Sequence, residues 1–242
     1  ATLPHGGGTA TAGSPAVAPH SVDRAASTAA AQIAMRLTHD LRRLKQIKAL
    51  SLKIAAKREM LPEYAPWIEG LLSGATKAGA GASGDVLPTI MVWRIDVGDF
   101  AGAMPLIEHV LHNNLPMPQR YERDAATLIV EEVAEAAIKA QAAGEPFDLA
   151  VLEQIETLVD GVDMHDQVRA KLMKAIGFEL DRTARAAAEA GADDKALPLL
   201  CRSLAALNEA QKLHDRVGVK STIRGVEKRL AAAQPQPAGT SG

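Results

Sequence analysis

Residues 21–60, SVDRAASTAAAQIAMRLTHDLRRLKQIKALSLKIAAKREM, decide the fold. The stretch contains no proline or glycine, begins with a serine suited to a helix N-cap, and repeats apolar residues at steps of three and four. Because this spacing places the apolar residues on one helix face, we predict a single long amphipathic helix. Its drift from a strict heptad leaves a packed helical hairpin and a coiled coil as alternatives. The apolar positions are Ile33, Leu37, Leu41, Leu44, Ile47, Leu50 and Ile54.

The rest of the chain reads as shorter helices separated by proline and glycine. Leu61-Pro62 ends the first helix, Pro66 suits the first turn of a short one, and Asp85 is predicted to cap the helix that Gly98 ends. Residues 74–84, GATKAGAGASG, are predicted as a loop. No stretch alternates apolar and polar residues as a strand would. Further helices are predicted at about 99–112, 122–142, 147–159, 165–190, 194–214 and 219–232.

Two segments of the chain resemble each other. GDFAGAMPLI at 98–107 and GADDKALPLL at 191–200 share glycine, alanine, proline and the last apolar positions. A Gly-led turn followed by a small alanine lets two helices approach closely, as in tetratricopeptide hairpins. The copies are too far apart along the chain for a regular repeat array, so we predict repeated helical hairpins without a regular solenoid. Together with the helical patterns above, this predicts an all-α fold: a long N-terminal amphipathic helix or helical hairpin followed by packed helical hairpins, tetratricopeptide-like in part. Coincidence in an alanine-rich chain is the alternative.

Composition divides the chain into four predicted parts. Residues 1–20 and 233–242 are rich in Gly, Pro and small residues, so we predict a flexible arm and a flexible tail. Residues 21–73 are predicted as a basic helical region for DNA binding or oligomerisation, and residues 85–232 as a helical-hairpin domain. Trp67 and Trp93 are predicted core anchors.

Charge is distributed unevenly although the net charge is only −2. The first 60 residues carry nine Lys or Arg against three acids, so they are +6 and the remainder is −8. Cations on a helix neutralise phosphates and release counterions, which favours DNA binding; a solvated face or a coiled-coil flank is the alternative. No helix-turn-helix pattern or interleaved aromatic residue accompanies them. The predicted DNA-binding residues are Arg36, Arg42, Arg43, Lys45, Lys48, Lys53, Lys57 and Arg58.

Two acidic groups are candidates for a metal-dependent nuclease site: Glu131, Glu132 and Glu135 on one helix, and Asp160, Asp163 and Asp166 around His165. A two-metal nuclease needs carboxylates that converge on one point, which neither group indicates by itself. We therefore interpret both groups as surface charge, with Asp163 or Asp166 capping a helix.

Other sequence features argue against further chemistry. No Walker loop is present, the histidines lack a zinc-binding pattern, and the single cysteine, Cys201, lies on an apolar stretch where a buried structural thiol is expected. We expect no ATP hydrolysis, no metal and no cofactor, and a reducing cytosol as the compartment.

Three stretches resemble one known family: KREMLPEYAPWIEGLL (57–72), DVLPTIMVWRIDVGDFAGAM (85–104) and DMHDQVRAKLMKAIG (163–177). They are similar to the small terminase subunit of temperate contractile-tailed phages, also labelled the terminase endonuclease subunit. The most specific part is Trp93-Arg94-Ile95-Asp96 with Gly98-Asp99. The similarity covers roughly residues 25–232.

The resemblance implies a role in phage DNA packaging. A small terminase subunit binds viral double-stranded DNA at the packaging site and delivers it to the large ATPase subunit, in the cytoplasm of the infected host cell. Such subunits assemble into rings or other homo-oligomers, and no membrane partner is expected. A metal-dependent endonuclease that cuts at the packaging site and a helical adaptor without DNA contact are the alternatives.

Overall fold

The computed structural model describes residues 19–74 and 84–233, and every regular element within these ranges is helical. The all-α prediction is therefore confirmed. Most of the predicted arm (1–18), the last nine residues and residues 75–83 of the predicted loop lie outside the described residues. The helices are α1 (Pro19–Gln46), α2 (Leu50–Met60), α3 (Ala65–Leu72), α4 (Val86–Asp96), α5 (Phe100–His112), α6 (Ala125–Ala142), α7 (Leu149–Leu158), α8 (Asp166–Glu189), α9 (Asp193–Leu213) and α10 (Lys220–Ala233), with a 3₁₀ turn at Leu61–Tyr64.

The N-terminal stretch forms two helices, so the prediction of a single long helix over 21–60 is wrong. The break covers residues 47–49, where Ala49 is extended with φ −72° and ψ 129°. Contacts with the following segment explain the break: the Tyr64 hydroxyl donates to Asp40 at 2.8 Å, and Arg43 pairs with Glu59 at 2.8 Å. The chain must turn back to make these contacts. Helices α1 and α2 therefore form a helical hairpin, which was one of the two predicted alternatives.

One continuous apolar core runs from Ile33 in α1 to Val226 in α10. Helix α4 lies deepest, since nine of its eleven residues are buried. The Trp93 indole on α4 packs edge-on against the ring of Tyr64, with 5.9 Å between ring centroids. Trp67 on α3 is also buried, so both tryptophans are core residues as predicted.

Helices α8 and α9 share the most extensive helix–helix contact among the described elements. A Cβ atom added at Gly177 would lie 2.6 Å from the side chain of Leu207, so only glycine fits at this crossing. The Ser203 hydroxyl donates to the Gly177 carbonyl at 2.7 Å, which satisfies the hydroxyl in the buried interface. The glycine thus sets how closely the two longest helices of the second half approach.

The two resembling segments occupy equivalent structural positions. Gly98 and Gly191 both have positive φ, +79° and +72°, and each precedes the N-cap residue of a helix, α5 or α9. Pro105 and Pro198 each occupy the sixth position of their helix. Both segments therefore end one helix of a pair and begin the next, while a tetratricopeptide relationship stays a prediction.

One local prediction is confirmed in position only, and two are wrong. Asp85 occupies the N-cap of α4 but its side chain makes no capping hydrogen bond. The N-cap of α8 is His165, so neither Asp163 nor Asp166 takes that position. Cys201 is exposed, because α9 turns its neighbour Leu200 toward the core and Cys201 toward solvent.

Candidate nucleic-acid interface

Four of the eight predicted DNA-binding residues contact other parts of the chain. Arg36 pairs with Glu63 at 3.2 Å, and Arg43 pairs with Glu59 at 2.8 Å. Lys57 is half-buried and pairs with Asp96, while the Arg58 guanidinium donates to the Val97 carbonyl at 2.9 Å. Arg36 and Arg43 hold α1 to the 3₁₀ turn and to α2, and Lys57 and Arg58 hold α2 to the end of α4, so the charge of all four is partly neutralised or hydrogen-bonded within the fold.

The other four have no such partner within the described residues. Arg42, Lys45 and Lys48 are exposed and Lys53 is half-buried, and none makes an ion pair or side-chain hydrogen bond there. Leu37 and Leu44 take the core-facing side of α1, which turns Arg42 and Lys45 outward. We call Arg42, Lys45, Lys48 and Lys53 the open cations.

The residues around the open cations add to the local positive electrostatic potential. Residues 41–58 contain seven Lys or Arg and no acid. Cations without a protein partner can pair with phosphate oxygens, and each contact releases counterions from DNA. The arrangement therefore suits binding to a phosphate backbone. Among the described residues we identify no motif that would read base edges.

The segment Trp93–Asp99, the most specific part of the resemblance, has a structural role. Asp96 holds Lys57 of α2, and Arg94 pairs with Asp99. Asp99 in turn caps α5 by accepting from the Gly102 N–H at 2.9 Å. These side chains therefore fasten α2 to the α4–α5 pair, and the sequence alone did not indicate this role.

A second positive surface on α10 escaped the sequence analysis. Lys220, Arg224 and Lys228 recur every four residues, are exposed, and make no ion pair within the described part of the chain. The four-residue spacing was the signal that could have revealed them, since it places all three on one helix face.

Two of the acidic residues considered for a nuclease, Glu131 and Glu135, pair with cations. Lys171 on α8 pairs with Glu131 at 3.0 Å and with Glu135 at 2.6 Å, and Arg123 also pairs with Glu131. Desolvation raises the pKa of Glu132, and the carboxylates of Asp96 and Glu135 raise it further. Within residues 19–74 and 84–233, no group of three or more His, Cys, Asp or Glu side chains is placed to hold a metal ion.

A cavity of about 910 Å³ lies between the end of α5 and the start of α6, and we call it the α5–α6 cavity. Its apolar walls include Leu72, Leu115, Leu158 and Val162. Asp124 at its edge caps α6 by accepting from the Thr127 N–H at 2.9 Å. Burial raises the pKa of Asp124, but hydrogen bonds from the Thr127 side chain and from backbone N–H groups outweigh it and hold this pKa below its usual value.

Negative charge is concentrated in the segment next to this cavity. Residues 145–166, which include α7, contain seven acids and no Lys or Arg. Burial and the neighbouring Glu153 carboxylate raise the pKa of Glu156 within this segment. The chain thus separates its positive α1–α2 surface from a negative segment in the middle of the sequence.

Comparison with known proteins gives consistent matches. Residues 34–167 match the family described as "Phage small terminase subunit". The chain is 39% identical over 207 residues to "Terminase, endonuclease subunit" of Escherichia phage P2, which covers 85% of this chain and 76% of that protein. It is 25% identical over 218 residues to "Probable terminase, endonuclease subunit" of Haemophilus phage HP1, covering 90% of this chain and 74% of that protein. No solved structure matches the chain.

Proposed function

The chain belongs to the phage small terminase subunit family and has a role in phage DNA packaging; we propose that within this role it binds viral double-stranded DNA through its open cations. It delivers the bound DNA to the large terminase subunit in the cytoplasm of the infected host cell, and it acts as a homo-oligomer. No helix among the described residues is long and apolar enough to cross a membrane.

The observation that carries the DNA proposal is the group of cations in the acid-free stretch 41–58 that have no ion-pair partner among residues 19–74 and 84–233. This stretch lies inside the part of the chain that matches the family. Arg42 and Lys45 contribute most, because both are exposed on the face of α1 that points away from the core. Arg36, Arg43, Lys57 and Arg58 support the surface by fixing the helices that present it.

Charge reversal at Arg42 and Lys45 tests the proposal. We expect Arg42→Glu with Lys45→Glu to weaken binding to packaging-site DNA by about tenfold or more. The slope of log affinity against log salt should fall by about two, because each lost phosphate contact contributes roughly 0.9 to that slope. Binding is measured by fluorescence anisotropy between 50 and 200 mM salt, with random DNA of equal length for comparison.

Lys220→Glu with Arg224→Glu is the matched control, since it makes the same change in net charge on α10. An equal loss in the control variant would assign the effect to net charge and not to the open cations. Unchanged affinity and slope in the Arg42/Lys45 variant would contradict the proposal.

The names of both relatives point to a second candidate function, that of the endonuclease. It is tested by incubating the purified chain with Mg²⁺ and packaging-site DNA in the absence of the large subunit. Cleavage that disappears in Glu131→Gln or Glu135→Gln would favour the nuclease. We expect the DNA to stay intact, because Lys171 pairs with both carboxylates. Intact DNA would favour a role in recognition without cleavage.

A further inference from the structure

Two arginines on α1 are held by two glutamates of the segment that folds back against this helix. Arg36 and Arg43 are seven residues apart, which places them on the same helix face about two turns apart. The Arg36 Nη1 atom lies 3.2 Å from Glu63 Oε2, and the Arg43 Nη2 atom lies 2.8 Å from Glu59 Oε2. Glu59 belongs to the last turn of α2, and Glu63 belongs to the 3₁₀ turn. We call Glu59 and Glu63 the glutamate pair.

Both ion pairs are open to water. Their four side chains are between 45% and 65% exposed, and ion pairs this exposed contribute little to stability. The Lys57–Asp96 pair differs, since its side chains are only 16% and 25% exposed. Arg36 and Arg43 can therefore change partners at a low cost in free energy, whereas Lys57 is held in place.

Carboxylates and phosphates compete for the same guanidinium groups. Both anions accept paired hydrogen bonds from the planar arginine side chain, and a DNA duplex presents phosphates in a dense row. Arg42, one of the open cations, directly precedes Arg43 in α1. A DNA strand bound by Arg42 therefore comes close to the Arg43–Glu59 pair, where it attracts the arginine and repels the glutamate.

We propose that the glutamate pair occupies the phosphate-binding positions of Arg36 and Arg43 in the free chain, and that DNA replaces both carboxylates with phosphates. The two arginines then become DNA contacts, although each is paired within the fold of the free chain. The glutamate pair is thus an internal competitor that lowers the affinity for DNA. This inference rests on the proposed DNA binding through the open cations and names the contact that limits it.

The hairpin has a second contact that does not involve the surface ion pairs. Asp40 and Tyr64 are both buried, and the Tyr64 hydroxyl donates to Asp40 at 2.8 Å. This hydrogen bond joins α1 to the 3₁₀ turn independently of Arg36 and Arg43. We therefore expect the exchange to free the arginine side chains while the helices that carry them stay in place.

Neutralisation of the glutamate pair is the first test. We expect Glu59→Gln with Glu63→Gln to tighten binding to packaging-site DNA by about tenfold, because two arginines are freed for phosphates. The slope of log affinity against log salt should steepen by up to about two, since each phosphate contact contributes roughly 0.9. No gain in affinity would overturn the proposal.

Glu69→Gln with Glu122→Gln is the matched control for this variant. It makes the same change in net charge, both glutamates are exposed, and neither makes an ion pair among residues 19–74 and 84–233. We expect little change in affinity, because no arginine is released. An equal gain in the control would assign the effect to net charge and overturn the exchange.

A charge-neutral variant is the second test. Arg36→Gln and Arg43→Gln, combined with Glu59→Gln and Glu63→Gln, remove both ion pairs and leave the net charge unchanged. If the arginines move to phosphates, this variant lacks two contacts, so we expect about tenfold weaker binding and a slope lower by up to about two. If the ion pairs stay intact on DNA, the variant binds as the wild-type chain does, and that result would overturn the exchange.

The outcome for the exchange can be separated from the outcome for the open cations. All variants are measured by fluorescence anisotropy in the same salt series, and circular dichroism confirms that each keeps its helices. Unchanged binding by Arg42→Glu with Lys45→Glu would overturn both proposals. Weaker binding by that variant, together with wild-type binding by the glutamate-pair and charge-neutral variants, would overturn the exchange alone.

Discussion

Asp40 is a carboxylate on the apolar face of α1, where Ile33, Leu37 and Leu44 are also buried. It stays there because the Tyr64 hydroxyl donates a hydrogen bond to it at 2.8 Å. Burial raises the pKa of Tyr64 far above its usual value, and the hydrogen bond to Asp40 adds to the shift. The tyrosine hydroxyl therefore keeps its proton at neutral pH and remains a hydrogen-bond donor to Asp40.

Removal of that hydroxyl tests how much the contact stabilises the N-terminal hairpin. We expect Tyr64→Phe to lower the free energy of unfolding by about 1–3 kcal/mol, because Asp40 stays buried without its donor. Urea denaturation followed by circular dichroism measures the change. Asp40→Asn is the control that keeps an acceptor oxygen, and it should cost less. Equal stability of Tyr64→Phe and the wild-type chain would contradict this account.

Single residues also show what the sequence could predict of the candidate interface. It indicated that the cations cluster between 36 and 58, because composition reveals charge directly. It could not separate Arg36 from Arg42, since the partner of Arg36 is Glu63, which only the fold brings into contact. The same holds for Lys57, whose partner Asp96 lies 39 residues further along the chain.

Helices α8 and α9 depend on the absence of a side chain at Gly177. We expect Gly177→Ala to destabilise the protein by about 1–3 kcal/mol, because the added methyl group would overlap Leu207. Leu207→Ala should make the Gly177→Ala change less costly, and a double-mutant cycle in urea measures this coupling.

Gly225→Ala on α10 is the matched control. Its nearest neighbouring atoms belong to the flexible end of Arg229 at 3.5 Å, so a methyl group fits there. Alanine favours a helix over glycine by about 1 kcal/mol, so this variant should be slightly more stable than the wild-type chain. A similar loss at both glycines would show that the close approach of α8 and α9 is not the cause.

Element boundaries were predictable where a residue type marks them. Pro62, Pro66, Gly98 and Gly191 all end or begin helices near the expected places. The break between α1 and α2 was not predictable, because residues 47–49 contain neither proline nor glycine. Contacts made by residues 59 to 64 with α1 stabilise the turn, and a local pattern carries no information about them.

The continuous core from Ile33 to Val226 makes a prediction for the whole molecule. We expect the described helices to unfold in one cooperative transition, because their buried apolar residues form one cluster. Tryptophan fluorescence reports on Trp67 and Trp93, a dye on the exposed Cys201 reports on α9, and circular dichroism reports on all helices. The three midpoints in urea should coincide.

Separate midpoints would instead support the division into a basic region at 21–73 and a hairpin domain at 85–232.

At the scale of the whole molecule the sequence predicted the fold class, since helical periodicity and the lack of strand patterns extend along the chain. The α5–α6 cavity was not predictable, because its walls come from α3, α5, α6 and the end of α7.

The separation of charge along the chain has a consequence for the moment before contact. DNA presents a dense negative field, which attracts residues 41–58 and repels residues 145–166. This pair of opposing forces exerts a torque that rotates an approaching molecule while solvent still lies between it and the duplex. In the proposed complex with DNA, collisions that begin in this orientation present the open cations first, and we expect association to be faster than the net charge of −2 alone predicts.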